Sequence, residues 1–155
     1  MRRIASLLVV GYLSWPVTAF QVRAGAGGAA LKACSLLTKD LVLPFAQNPK
    51  VLDFIPPEEE SMPNGGAACE YGIVRLQVSP GRGPNRTAPS PEWQRVSGTG
   101  EAAFFRANGR EYAELMFWTA QHYLTLQVGV PTGSTPDALR PKVLTLASQL
   151  MAKLR

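Results

Sequence analysis

The segment from Ala102 to Pro131 constrains the fold most, because its residues follow the periodicity of strands rather than that of helices. Apolar residues fill Ala102 to Arg106 and Glu111 to Trp118, and Ala107-Asn108-Gly109 between them is typical of a hairpin turn. The following stretch alternates apolar and polar residues as a half-buried strand does, with Leu124, Leu126, Val128 and Val130 on one side. The segment therefore predicts a three-stranded antiparallel meander.

The C-terminal segment follows helix periodicity instead. Thr135-Pro136-Asp137 is typical of a helix start, and Pro141 offers a second start one turn later. Apolar residues then recur at intervals of three and four and form one stripe, which comprises Leu139, Val143, Leu146, Ala147, Leu150 and Leu154. We expect an amphipathic helix that packs on one face of the sheet.

The rest of the chain supplies shorter elements. Cys69 to Ser79 alternates as one half-buried strand, and Val51 to Ile55 is a candidate for a short strand inside a Pro-rich segment. Thr38 is a good N-cap for a short helix from Lys39 to about Gln47, which Pro44 interrupts. Together these elements predict an α+β fold with an antiparallel sheet of four to five strands, a short N-terminal helix and the C-terminal helix on one face.

The first 19 residues have the organisation of a secretory signal peptide. Two arginines precede an apolar run from Leu7 to Trp15, and small residues complete a cleavage site at Ala19. The run is much shorter than the ~20 residues of a membrane-spanning helix, which disfavours an uncleaved anchor. We expect cleavage after Ala19, with cleavage after Ala26 and lipidation of Cys34 as the alternatives.

The domain organisation follows from this signal. We expect a signal peptide at residues 1–19, a flexible Gly- and Ala-rich lead-in at residues 20–32, and a single domain at residues 33–155. Loss of two arginines with the signal leaves 14 basic residues against 11 acidic ones, a net charge of +3. Because these charges are not clustered, they do not indicate a nucleic-acid partner. The expected location is the periplasm or the exterior, with no stable membrane span after cleavage.

Cys34 and Cys69 are the two cysteines of the chain. In an exported protein an even number of cysteines indicates a disulfide, and here there is a single way to pair them. A redox-active pair or a nucleophilic thiol is the alternative, although redox pairs are usually close in sequence. One histidine and two cysteines cannot build a closed four-ligand zinc site, and we expect neither a metal nor a cofactor.

Several short motifs resemble those of small secreted or periplasmic bacterial proteins of unknown function. They are the run Ala33-Cys34-Ser35-Leu36-Leu37-Thr38-Lys39, the strand start Ala68-Cys69-Glu70-Tyr71, and the turn into a strand from Val96 to Phe105. The chain also resembles actinobacterial lipoprotein domains that have an N-terminal Cys-Ser-Leu-Leu cap and a later Cys-x-Tyr strand. The resemblance covers nearly all of residues 33–155 and implies a secreted or periplasmic α+β domain, without catalytic residues.

Residue types that commonly perform catalysis are few. The single histidine, His122, lies at a predicted strand start with no partner indicated by the sequence. Gly98-Thr99-Gly100 is too short for a phosphate-binding loop, and Glu58-Glu59-Glu60 lacks the alternating ligands of a calcium loop. A carboxylate pair such as Glu101 and Glu114 is the remaining candidate for catalysis.

Aromatic residues supply the candidates for binding. Exposed Trp and Tyr side chains are favoured in recognition, although packing in the core explains part of this group. The candidates lie near the predicted hairpin and after the Pro-rich loop at residues 80–92, and they are Trp93, Arg95, Tyr112, Trp118 and Tyr123. We therefore expect an exported non-enzymatic domain that binds a small ligand or a cell-envelope partner. The alternatives are a carboxylate-dependent hydrolase and a structural subunit of an envelope complex.

Overall fold

A computed structural model describes residues 32–81, 83 and 86–154 of the chain. The helices are α1 (Ala33–Leu36), α2 (Lys39–Val42) and α3 (Pro136–Lys153), and two short 3₁₀ helices, Leu43–Phe45 and Pro49–Asp53, follow α2. The strands are β1 (Glu58–Ser61), β2 (Ala67–Tyr71), β3 (Val74–Pro80), β4 (Gln94–Arg95), β5 (Ala102–Asn108), β6 (Tyr112–Trp118) and β7 (His122–Gly129). The expected signal peptide, the Ala26 cleavage site and residues 20–31 of the lead-in lie outside the described residues.

All seven strands form one antiparallel sheet in the order β1-β2-β3-β7-β6-β5-β4. The expected α+β class, with an antiparallel sheet and a C-terminal helix, is confirmed, but the sheet has seven strands rather than four to five. Strands β5, β6 and β7 are the meander that the sequence predicts. This meander joins the earlier strands through the pairing of β3 with β7.

Two of the additional strands lack any sequence signal, because both are exposed. Strand β1 consists of Glu58–Ser61, all four of them exposed, and β4 has two exposed residues. Alternation requires one buried face, and neither strand has one. The stretch from Cys69 to Ser79, expected to be a single strand, also differs from the prediction. It forms a hairpin of β2 and β3, which turns at Gly72 with a φ of 62°.

The N-terminal segment is more irregular than expected. Instead of one helix from Lys39 to about Gln47, α2 ends at Val42 and a 3₁₀ turn containing Pro44 follows. Thr38 precedes α2, but its side chain does not cap the helix. The strand expected at Val51 to Ile55 is instead the 3₁₀ helix Pro49–Asp53, where the Asn48 side chain accepts a hydrogen bond from the Lys50 amide at 3.2 Å.

The main core lies between one face of the sheet and the helices. Leu76, Leu115 and Leu126 point to this face from neighbouring strands and are fully buried. Helix α3 begins at Pro136, with the Thr135 hydroxyl accepting a hydrogen bond from the Ala138 amide at 3.2 Å as the sequence predicts. Five residues of its apolar stripe are buried in this core: Leu139, Val143, Leu146, Ala147 and Leu150.

The opposite face of the sheet carries a smaller apolar cluster. It consists of Trp93, Ala102, Phe104, Met116 and Trp118, with Tyr123 packed against it. The chain between β3 and β4 contributes Trp93 to this cluster, and Gly83 lies against the Tyr123 side chain. The rest of this face, toward β2 and β3, presents polar side chains such as Glu70, Arg75 and Gln77.

Cys34 and Cys69 are joined by a disulfide, with their Cα atoms 4.9 Å apart, so the expected pairing is confirmed. The bridge attaches α1 to β2. Among the helices that the structure describes, none has both the length and the apolar character required to cross a bilayer.

Candidate functional site

The largest concavity of the described chain is an open groove at one end of the sheet, with a volume of about 1090 Å³. One wall is the segment after α2, around Asn48 and Ile55, and another is the turn between β2 and β3. The turn between β5 and β6 and the residues after β7 complete it. We call this feature the apolar groove.

Exposed apolar side chains are concentrated at the apolar groove. In the part of the chain that the structure describes, the large hydrophobic residues that are exposed are Val51, Phe54, Ile55, Ile73 and Tyr112. Four of these line the groove, and Phe54, which is 84% exposed, lies between Val51 and Ile55 in the sequence. Exposed apolar side chains that share one groove and are bordered by polar residues form a candidate interaction surface.

Two glycines explain how Ile73 reaches the wall of the groove. Gly72 adopts a positive φ, and a Cβ there would lie 3.1 Å from the Leu52 side chain. Gly129 donates its amide hydrogen bond to the Ile73 carbonyl at 2.8 Å, and a Cβ there would lie 3.3 Å from Cβ of Ile73. Both positions therefore allow the tight turn to pack against its neighbours while Ile73 remains 42% exposed.

The wall formed by the segment after α2 is attached to the sheet by one buried hydrogen bond. The Tyr71 hydroxyl of β2 donates to the Leu52 carbonyl at 3.1 Å. The Leu52 side chain is buried in the main core. This attachment positions Val51 and Ile55 beside the β2–β3 turn, so the groove is built on fixed elements.

The border of the groove carries charges of both signs. Arg75 pairs with Glu60 at 2.8 Å and with Glu70 at 3.2 Å. Arg110 and Glu111 lie next to each other in the turn between β5 and β6, and within the described chain neither forms an ion pair. The border therefore favours no single charge on a ligand.

The five predicted binding residues occupy three different places. Trp93, Trp118 and Tyr123 come together in the smaller apolar cluster, where Trp118 is 1% exposed and its ring centroid lies 5.0 Å from that of Tyr123. Arg95 is exposed on the edge strand β4. Tyr112, 38% exposed, is the predicted residue that lies at the apolar groove.

The two candidate catalytic carboxylates are each held by an arginine. Glu101 pairs with Arg86, and Glu114 pairs with Arg106. The Glu101 amide donates to the Trp118 carbonyl at 2.8 Å, and Trp118 lies four residues beyond Glu114, about 14 Å along β6 at ~3.4 Å per residue. The described chain thus does not bring these carboxylates together as a catalytic pair.

Among the residues that the structure describes, none is a hydrogen-bond partner for the His122 ring of the kind that a catalytic base requires. Its Nδ1 is buried and finds no hydrogen-bond partner among the residues described here. Burial lowers the pKa of His122 below its ordinary value of 6.5 and favours the neutral ring.

Cys34, Cys69 and Glu59 lie close together, but their contacts are structural. Both sulfurs are in the disulfide, whereas a metal ligand requires a thiolate. The Glu59 carboxylate accepts hydrogen bonds from the Ala33 and Cys34 amides, both at 2.7 Å. Glu59 therefore supports the start of α1 and is more than a solvated member of an acidic run.

The sequence analysis missed most of the apolar groove. Val51, Phe54 and Ile55 were expected in a short strand, and Ile73 within a longer one. One available signal was the run Val51-Leu52-Asp53-Phe54-Ile55 between prolines, which is too apolar for an ordinary loop and lacks strand alternation. Comparison with known proteins finds no matching family model, no matching curated protein and no matching solved structure.

Proposed function

We propose that this chain is an exported, non-enzymatic domain that binds a ligand or a cell-envelope partner through the apolar groove. Two observations support export. The first 19 residues follow the pattern of a secretory signal, and disulfides such as Cys34–Cys69 persist in oxidising compartments.

The single observation that carries the proposal is the clustering of exposed apolar side chains at one groove. Ile55, Ile73 and Tyr112 come from three segments that are distant in sequence. Binding sites in proteins are usually concave and combine apolar side chains with polar groups, as this groove does, and its volume lies just above the ~300–1,000 Å³ typical of ligand pockets. Covering these side chains would contribute favourably to binding.

A role as a subunit of an envelope complex is the second candidate, and Phe54 favours it. This side chain is 84% exposed beside the groove and does not line it. A small ligand inside the groove would leave Phe54 in water, whereas a protein partner could cover both. The hydrolase alternative gains no comparable support, because Glu101 and Glu114 are paired with arginines instead of with each other.

The test uses N-phenyl-1-naphthylamine, an apolar dye whose fluorescence increases when it leaves water. We expect the purified domain to bind the dye, and Ile73→Ser and Tyr112→Ser to weaken binding several-fold because each removes part of the groove wall. Phe54→Ser is the matched control, since it removes a large exposed apolar side chain that does not line the groove. Its affinity should equal that of the wild type.

Two results would contradict the proposed site. One is an absence of dye binding by the folded wild-type domain, and the other is equal binding by all four proteins. Circular dichroism of each variant establishes that a loss of binding does not result from unfolding.

A further inference from the structure

A second pocket lies on the sheet face opposite α3 and has a volume of about 280 Å³. Its floor comes from β3, β7 and β6, and Trp93 and Tyr123 contribute aromatic surface to it. We call it the sheet-face pocket. It shares Arg75 and Gln127 with the border of the apolar groove, but none of the exposed apolar residues of that groove line it.

Strand register arranges polar side chains in rows across this pocket. One row crosses four strands. It starts with Arg75 on β3, opposite Gln127 on β7, and continues through Glu114 on β6 to Arg106 on β5. Gln77 is opposite Thr125 in the adjacent row. Because neighbouring strands are about 4.8 Å apart, the rows form a continuous polar floor.

Glu114 organises this floor. It is 8% exposed and accepts hydrogen bonds from Arg106, from Asn108 at 3.1 Å and from Gln127 at 3.2 Å. One of the two N–H groups of the Gln127 amide is thereby used, and its carbonyl oxygen remains as an acceptor. Within the described chain, the side chains of Gln77 and Thr125 form no hydrogen bond, so both have donors and acceptors to offer.

The charges around the pocket are balanced. Arg106 pairs with Glu114, and Arg75 pairs with Glu60 and Glu70. A charged ligand would have to compete with these pairs, whereas an uncharged ligand that offers hydroxyl groups could use Gln77, Thr125 and the carbonyl oxygen of Gln127. The charge distribution therefore gives no advantage to a charged ligand, and the free hydrogen-bonding groups fit a neutral, polar one.

The pocket also contains apolar surface at its edge. Tyr123 is half-buried and lines the pocket, whereas Trp93 is 9% exposed and has the Arg106 guanidinium 4.5 Å from its ring centroid, so the aromatic surface open to a ligand is that of Tyr123. Sugar rings combine hydroxyl groups with apolar C–H faces that pack against aromatic side chains. We propose that the sheet-face pocket binds one ring of an uncharged saccharide.

The size of the pocket agrees with a single ring. Its volume lies just below the ~300 Å³ at which pockets for drug-sized ligands begin. A longer glycan would place one unit in the pocket and extend along the open face toward β2. Since the hydrogen-bonding groups are few, we expect weak binding, with a Kd on the order of 1 mM.

The experiment is a titration of the ¹⁵N-labelled domain with three neutral trisaccharides, one each of N-acetylglucosamine, glucose and mannose. We expect at least one of them to shift the side-chain amide resonances of Gln77 and Gln127, and the comparison among the three identifies the sugar. Gln77→Ala and Thr125→Ala should weaken binding by about three- to tenfold, the effect of losing one or two hydrogen bonds. Gln47→Ala is the matched control, because Gln47 lines the apolar groove and not this pocket.

The outcomes separate this proposal from the proposed function. No shift with any of the three sugars at millimolar concentrations, or an equal effect of all three variants, would overturn the saccharide site and leave dye binding in the apolar groove unaffected. Binding of sugar by Ile73→Ser with wild-type affinity would support two independent sites.

Discussion

At the scale of single residues, two glycines in one turn have different requirements. Gly98 and Gly100 both adopt a positive φ, 79° and 63°. A Cβ on Gly98 would meet no atom within 4 Å, whereas one on Gly100 would lie 2.2 Å from the Trp118 carbonyl oxygen. The sequence predicts a turn here, but the close approach to β6 depends on a tertiary contact that local sequence does not show.

We predict that Gly100→Ala destabilises the domain more than Gly98→Ala. Each variant bears the cost of a left-handed alanine, about 1 kcal/mol, and Gly100→Ala adds a backbone clash of roughly 1–3 kcal/mol. Urea unfolding of the two variants measures the difference. Equal free energies of unfolding would show that the backbone at Gly100 relaxes without cost.

His122 provides a prediction on pH. Burial lowers its pKa in the folded state, so below the ordinary pKa of 6.5 the unfolded chain binds more protons than the folded one. Stability should therefore fall as the pH decreases from 7 toward 5.5, and His122→Asn should make this decrease shallower. The measurement is the free energy of unfolding in urea at the two pH values, and parallel decreases in both proteins would contradict the assignment.

At the scale of elements, α1 shows how a very short helix is maintained. Its four residues are too few to be stable alone. The disulfide joins it to β2, Glu59 of β1 accepts its first amides, and Lys153 of α3 donates to the Leu36 carbonyl at 3.0 Å. Three separate elements therefore hold α1 in place.

We predict that replacing both cysteines by serine lowers the free energy of unfolding by roughly 3.5–4 kcal/mol, from the entropy of a 35-residue loop. Thermal or urea unfolding measures this loss. Glu59→Gln, which keeps the bridge, is the control and should lower the free energy of unfolding much less.

The intact mass of the exported wild-type protein should correspond to a chain that starts at Phe20 and lacks two hydrogen atoms. A mass with both thiols reduced would contradict the expected bridge.

The elements that the sequence could predict are those with many buried residues. Strand β7 buries alternate positions and helix α3 buries one stripe, while β5 and β6 are continuous apolar runs buried on both faces, and all of these patterns are visible in the sequence. Strand β1 buries no residue, so no alternation indicates it. The hairpin between β2 and β3 was missed although the buried positions change from odd numbers, Cys69 and Tyr71, to even numbers, Val74 and Leu76, across Gly72-Ile73.

At the scale of the whole molecule, the two faces of the sheet are covered differently. Helix α3 covers the main core, while the opposite face has a small apolar cluster at one end and open polar rows at the other. The apolar groove lies at the end of the sheet and draws its walls from four separate segments. Such a site could not be read from local patterns, and Tyr112 is the one predicted binding residue found there.

The position of the β3–β7 pairing has a consequence for how the chain acquires its structure. Strands β1 to β3 and strands β5 to β7 are each linked by short connections, but Pro80 must meet His122 across a long stretch of chain. Pairings of this separation form slowly, so each set of strands can assemble locally before the two join. Both cysteines precede β3. A chain that enters an oxidising compartment N-terminus first could therefore close its disulfide before the residues of the β5–β7 meander have appeared.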